Sequence, residues 1–173
     1  MDKILIAYFS REGTNYVGGA IVNLPVGNTE VAARRIQDLT GGDLFRIKTV
    51  RPYAEDYTEC TKEAQKELRE NARPELAGPL PSMDAYDTVY LGYPNWWGTM
   101  PMGVFAFLER CDLSGKRVFP FCTHEGSGMG RSEQDLGRVC PNAKVLPGLA
   151  IRGGEVNHAG DEIARWIRGH QEA

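Results

Sequence analysis

At 173 residues, with 42% hydrophobic and 25% charged side chains, the chain is long enough for one domain with a substantial core, and its composition excludes a disordered or fibrous protein. A formal charge of −3 with no basic stripe argues against a nucleic-acid partner. No apolar run approaches the roughly 20 residues needed to cross a bilayer, so no membrane partner is expected.

The elements follow in chain order. Lys3–Phe9 is a continuous apolar run suited to a strand buried on both faces, and the segment from Met1 to Tyr8 reads as this first strand rather than a signal peptide. Glu30–Leu39 is amphipathic, with Val31, Ala32, Ile36 and Leu39 apolar and Arg34, Arg35 and Gln37 between them; Gly41-Gly42 stops this helix. Asp43–Val50 predicts a second strand and Tyr53–Asn71 a polar helix ending before Pro74. Asp87–Tyr93 is the third strand, Met102–Glu109 a helix, Arg117–Thr123 the fourth strand and Arg131–Val139 a helix. Ala143–Ile151 is a fifth strand interrupted by Pro147-Gly148, and Asn157–Arg168 a closing amphipathic helix. There is no internal repeat and no linker. Strands alternating with helices argue for an α/β, doubly wound parallel sheet covered on both faces, with any ligand beyond the carboxyl ends of its central strands.

The cysteines Cys60, Cys111, Cys122 and Cys140 are widely spaced, which fits reduced thiols and a cytoplasmic location better than a disulfide framework. The histidines His124, His158 and His170 make no metal-ligand spacing with them, so no metal is expected.

Three loops leave the carboxyl strand ends, after Phe9, Tyr93 and Thr123, and each carries chemistry. The first begins Ser10-Arg11 and leads to a helix that starts near Gly27-Asn28-Thr29. A helix head presents unpaired N–H groups and suits a phosphate. Taken alone, Asn28 or Thr29 reads first as a simple cap. The second loop is Gly92-Tyr93-Pro94-Asn95-Trp96-Trp97-Gly98-Thr99-Met100-Pro101. Adjacent tryptophans between Pro and Gly sit badly in a strand or helix and well against a planar aromatic ligand; the bland reading is that Trp96 plugs the core. The third loop, Thr123-His124-Glu125-Gly126-Ser127-Gly128-Met129-Gly130, permits close backbone approach to a ligand, or is simply a flexible turn.

Together these loops resemble the flavodoxin family, in the branch with a Tyr-Pro-x-Trp-Trp-Gly-x-x-Pro loop. The residues that carry the likeness are Ile4–Ser10, Gly27-Asn28-Thr29, Gly92–Pro101 and Phe121–Gly128, and the stretch from Arg51-Pro52-Tyr53 to Arg73-Pro74-Glu75-Leu76 is also similar. The resemblance implies a single flavodoxin-like domain over residues 1–173, a five-stranded parallel sheet of order 2-1-3-4-5, and one non-covalent FMN. By position it implies that Ser10, Arg11, Asn28 and Thr29 surround the phosphate. Pro94, Asn95, Trp96, Trp97 and Gly98 would line one side of the flavin ring, and Thr123, His124, Glu125, Gly126 and Gly128 the other. No residue is assigned a catalytic role.

The family's phosphate loop reads Ser-x-Thr-Gly-Asn-Thr without a break. Here removal of Glu12–Pro25 leaves Ser10-Arg11-Val26-Gly27-Asn28-Thr29, so residues 12–25 read as an inserted flap. The rival reading, with Ser10–Asn15 as the phosphate loop, lacks a helical period after Asn15. Two functions follow from the resemblance: an FMN-binding electron-transfer protein, or an FMN-dependent NAD(P)H:quinone-type oxidoreductase. The carrier is favoured, although flavodoxin carriers are usually more acidic than this chain. The expected partners are redox proteins or a small-molecule acceptor, and the expected state is a monomer or weak dimer.

Overall fold

Alternation along the first strand decides the layering. The computed structural model describes residues 3–171. In β1 (Ile4–Tyr8), Leu5 and Ala7 face one core and Ile6 and Tyr8 the other. One core lies under α2 (Tyr57–Glu70), α3 (Met102–Arg110) and α4 (Ser132–Val139). The other lies under α1 (Asn28–Thr40) and α5 (Gly160–Gln171), around Ile36, Phe119, Phe121 and Ile163.

Between the layers runs a parallel sheet of six strands. After the hairpin β2 (Gly13–Val17) and β3 (Ala20–Leu24) come β4 (Asp43–Arg46), β5 (Thr88–Pro94), β6 (Arg117–His124), β7 (Lys144–Val145) and β8 (Leu149–Arg152). The order is β4-β1-β5-β6-β7, with β8 also on β6. This is the expected order 2-1-3-4-5, with the last strand divided at Pro147-Gly148 into two short pieces. The α/β, flavodoxin-like fold class predicted from the sequence is the one observed.

Several boundaries move for identifiable reasons. The second strand stops at Arg46 rather than Val50 because residues 48–50 turn to pair with 75–77: Val50 N–H donates to Glu75 O and Ala77 N–H to Lys48 O. The next helix starts at Tyr57 rather than Tyr53, since the Asp56 carboxylate accepts from Glu59 N–H and caps it, and Asn71 closes it at φ 51°. The final helix is preceded by a 3₁₀ stretch, Gly153–His158.

Residues 13–24 form an antiparallel hairpin closed by Gly18-Gly19, both at positive φ. A two-residue turn of this kind matches the twist of its strands and needs glycine or asparagine. The hairpin forms its own two-stranded sheet and does not join the main one.

Gly92 sits in β5 opposite Phe121 of β6, and a Cβ there would come within 2.2 Å of the Phe121 ring. Gly92→Ala is expected to lower the urea midpoint by the equivalent of about 1–3 kcal/mol, the usual cost of overpacking. A second expectation concerns His170, whose ring stacks on Phe119 at a centroid distance of 3.7 Å. Burial, and then Arg117, hold its imidazole down at about 4. An unfolded histidine titrates near about 6.5, so between those values the unfolded chain binds a proton that the folded chain refuses. The contribution is therefore complete above about pH 6.5 and lost as pH falls toward about 4. Urea titrations at about pH 7 and about pH 5 should show a smaller loss of stability in His170→Phe than in the wild type; equal losses would exclude the assignment.

Candidate functional site

The cleft is assembled at the head of α1. Gly27 precedes the helix, and a Cβ on it would lie 2.2 Å from Ser10 Oγ and 2.7 Å from Arg11 O. Only glycine lets the β1 loop rest on the helix head. Ser10 Oγ then accepts from Glu30 N–H at 3.1 Å, so a residue twenty positions upstream supplies the cap that Gly27 cannot. Thr29 and Thr123 are both buried, and their hydroxyls share a hydrogen bond of 2.8 Å. Each hydroxyl has one proton. If Thr123 donates to Thr29, the Thr29 proton is free to turn outward. The N–H groups of Asn28 and Thr29, in the first turn, have no intrahelical acceptor.

Two joined cavities open from this corner. One, of about 230 Å³, is lined by Asn28, Thr29, Pro94, Asn95, Trp96, Thr123, His124, Glu125, Ser127 and Gly153, with Arg11, Asn15, Tyr16, Leu24 and Tyr57 closing it. The other, of about 460 Å³, lies between α2 and the tryptophan turn, against Cys60, Thr61, Ala64, Trp97 and Gly98. Both touch Arg11, Asn15, Tyr57, Asn95, Trp96 and Ser127. Together they fall within the roughly 300–1,000 Å³ of small-molecule sites.

The tryptophans have separate surroundings. Trp96 is wedged edge-on against Phe9 at 5.1 Å and Tyr53 at 5.0 Å between ring centroids. Trp97 is 47% exposed, and its indole N–H donates to Thr61 O at 2.9 Å. The turn closes through Trp96 N–H to Thr99 O at 2.9 Å, with Trp97 at φ 57° and Gly98 at φ 88°. A bulky residue in the left-handed region carries strain, and such strain concentrates at ligand sites. The Gly98 carbonyl accepts from Arg131 N–H at 2.8 Å, so turning that peptide requires breaking this bond.

Two residues assigned to the site from the sequence line both cavities and also tie loops together. Asn95 is a staple: its amide donates to Gly128 O at 2.8 Å while its oxygen accepts from Gly98 N–H at 2.9 Å, tying the tryptophan turn to the third loop. Arg11 lines both cavities, but its guanidinium donates to the carbonyls of Thr14, Ala54 and Glu55 and to Asn15 Oδ1, anchoring the hairpin base. His124 Nδ1 accepts from Gly126 N–H at 2.9 Å, and burial followed by Arg152 holds its imidazole below the usual range. The ring is therefore neutral near neutral pH; of the third loop, Thr123, His124, Glu125 and Ser127 line the cavities, while Gly126 and Gly128, at φ 141° and 62°, line neither.

The hairpin spans the mouth. At its base Thr14 donates to Glu55 O; at its centre Tyr16 stacks on Tyr57 at 6.3 Å; at its tip Gly18 N–H donates to Glu125 Oε2 at 3.3 Å. Tyr16, Tyr57, Cys60, Thr61 and Gly153 were not among the residues expected at the site. Gly18-Gly19 between alternating residues was the available signal for Tyr16; Gly153 and the α2 residues depend on tertiary packing and carry no local signal.

Among the described residues no helix is long and apolar enough to cross a membrane, and no cluster of His, Cys, Asp and Glu could hold a metal ion. Comparison with known proteins follows the geometry. Among curated proteins none matches. A candidate flavoprotein of Bacteroides eggerthii is similar at 29% identity, covering 95% of this chain and 99% of its own, with a TM-score of 0.72. One of Bacteroides uniformis is 26% identical over 96% of this chain and 98% of its own, with a TM-score of 0.77. A Lactobacillus acidophilus flavoprotein, solved in complex with FMN, shares the fold at 20% identity and a TM-score of 0.66, covering 91% of this chain and 98% of its own. The family model for flavodoxin matches residues 3–170, and the chain belongs to the flavodoxin family.

Proposed function

We propose that the cleft binds FMN and that the protein is an electron-transfer flavoprotein serving a redox partner protein or a small-molecule acceptor. One observation carries this reading: a donor-rich corner at the head of α1 runs directly into a slot walled by aromatic rings. The corner fits a phosphate. It offers the Thr29 hydroxyl and the first-turn N–H groups, and the helix head favours negative charge. The slot fits a planar ring, with Trp96 and Trp97 on one wall and the glycine-rich third loop on another. The FMN complex of the Lactobacillus relative supports the same assignment by likeness of fold.

FMN would supply the redox chemistry; the chain binds, orients and tunes it. Ser10 shapes the corner through its cap on Glu30, and Thr29 and Asn28 face the phosphate. The exposed Trp97 would meet the ring, while Trp96, packed on Phe9 and Tyr53, would hold the turn. The spectrum of the purified protein tests the cofactor, since bound FMN gives a yellow protein. Anaerobic addition of NADPH then separates the two functions. A flavin that stays oxidised until a partner protein is added supports the carrier, and rapid bleaching without one supports the oxidoreductase. Failure to bind FMN with intact loops would leave a flavin-free binding module.

Loss of a hydrogen bond to a charged group costs about 1.5–3 kcal/mol. Thr29→Ala should accordingly weaken FMN by about tenfold or more while leaving riboflavin affinity nearly unchanged; equal losses would show that the hydroxyl does not meet the phosphate. The tryptophans should part in a second comparison. Trp97→Ala should weaken FMN and restore fluorescence of the flavin still bound, with little change in the urea midpoint. Trp96→Ala should cost stability, because it leaves a cavity beside Phe9 and Tyr53. Larger fluorescence recovery in Trp96→Ala would reverse the assignment.

A further inference from the structure

One side chain at the phosphate corner does not fit a simple anion site. Glu125 leads the third loop, and its Oε1 is buried without a hydrogen-bond partner. Its position is fixed by Gly153: a Cβ there would lie 2.6 Å from Glu125 Oε1 and 2.5 Å from Asn28 Nδ2. Those two atoms are therefore within about 5 Å of each other, and Asn28 is the first residue of α1. Glu125 thus lines the same cavity of about 230 Å³ as Asn28 and Thr29, where the phosphate is expected. Its other oxygen accepts from Gly18 N–H at the hairpin tip. Arg152 donates to the Glu125 backbone carbonyl at 3.0 Å. His124, Tyr16, Tyr57 and Arg11 line the same cavity, and Glu155 lies near His124; the Arg11 guanidinium is engaged by the carbonyls of Thr14, Ala54 and Glu55.

We infer that Glu125 is the chain's own anion in the phosphate corner, and that it holds the hairpin tip down until the phosphate of a phosphorylated ligand displaces it. The inference rests on the proposed binding of FMN. A buried carboxylate oxygen without a partner is unfavourable and is tolerated where the helix head offsets its charge. A phosphate dianion held by the first-turn N–H groups brings more charge and more acceptor atoms into the same small cavity, and the two anions repel there. When the phosphate enters, the carboxylate leaves and Gly18 loses its acceptor. The hairpin then stays anchored through Arg11 and Thr14 at its base and the Tyr16–Tyr57 stack at its centre, and only its tip is released. Riboflavin, which has no phosphate, leaves the latch in place. Glu125 is thus a specificity-determining residue that subtracts from FMN affinity and couples it to the hairpin.

Glu125→Gln tests this, since it keeps the shape and an acceptor for Gly18 but removes the charge. FMN and riboflavin affinities are measured by quenching of tryptophan fluorescence, and hydrogen exchange is followed across residues 17–20. Glu125→Gln should bind FMN about tenfold tighter, with riboflavin unchanged. In the wild type FMN should speed exchange at the hairpin tip and riboflavin should not. An unchanged or weaker FMN affinity in Glu125→Gln, an equal gain for both flavins, or a tip whose exchange does not respond to FMN would overturn the latch while leaving the cofactor assignment intact. If neither protein binds FMN, the cofactor assignment falls and the latch falls with it.

Discussion

The cleft depends on the contact between Ser10 and Gly27. A backbone without a side chain at Gly27 lets the end of the first strand lie on the head of the first helix. From that contact follow the cap on Glu30, the burial of Thr29 and its bond to Thr123. Thr123 belongs to β6, so one steric requirement links three parts of the molecule: the loop after β1, the start of α1 and the end of β6. Were a side chain added at Gly27, the loop would have to lift and the corner would open. Local backbone geometry sets the binding chemistry here, and the side chains that face the corner are positioned as a consequence.

The rest of the cleft is held by polar ties between loops. Asn95 joins the tryptophan turn to the third loop, Trp97 joins it to α2, and Arg11 joins the hairpin to the segment before α2. Each tie uses a side-chain donor to bond a backbone carbonyl of a neighbouring segment. A wall made this way is rigid while the ties hold. It also explains why Arg11 is a cation at the cleft without being a free one, which bears on the modest charge of this chain compared with acidic carriers.

Much of this was legible in the sequence. Apolar strand runs alternating with amphipathic helices pointed to the parallel sheet, and Pro147-Gly148 marked the break in the last strand. The three loops were recognisable because glycine, asparagine and paired tryptophans are costly inside regular elements. Three things were less visible. The hairpin's twist-matched turn at Gly18-Gly19 was read only as part of an inserted flap over residues 12–25. The early end of β4 arises because residues 48–50 prefer partners at 75–77, a pairing no local window contains. Roles within the cleft were hidden too: Asn95 and Arg11 are polar residues in loops at the cleft, yet most of their partners are backbone atoms brought near by folding. Composition locates such residues; only tertiary contacts show whether their donors are spent.

The break at Pro147-Gly148 matters beyond topology. It leaves two short pieces, β7 and β8, along one margin of the sheet. Between them Gly148 N–H is taken by the Glu133 carboxylate at 3.0 Å and Pro147 O by the Trp166 indole at 3.2 Å. At the other margin β4 is four residues long, and the chain beyond it pairs with its own later segment. Long, flat sheet edges template the addition of strands from other molecules, and proteins blunt them with proline, shortness and side-chain plugs. Both margins of this sheet are blunted in these ways. The same fracture that ends the fifth strand therefore guards the folded chain against edge-to-edge aggregation, and replacing it with a continuous strand would trade solubility for regularity.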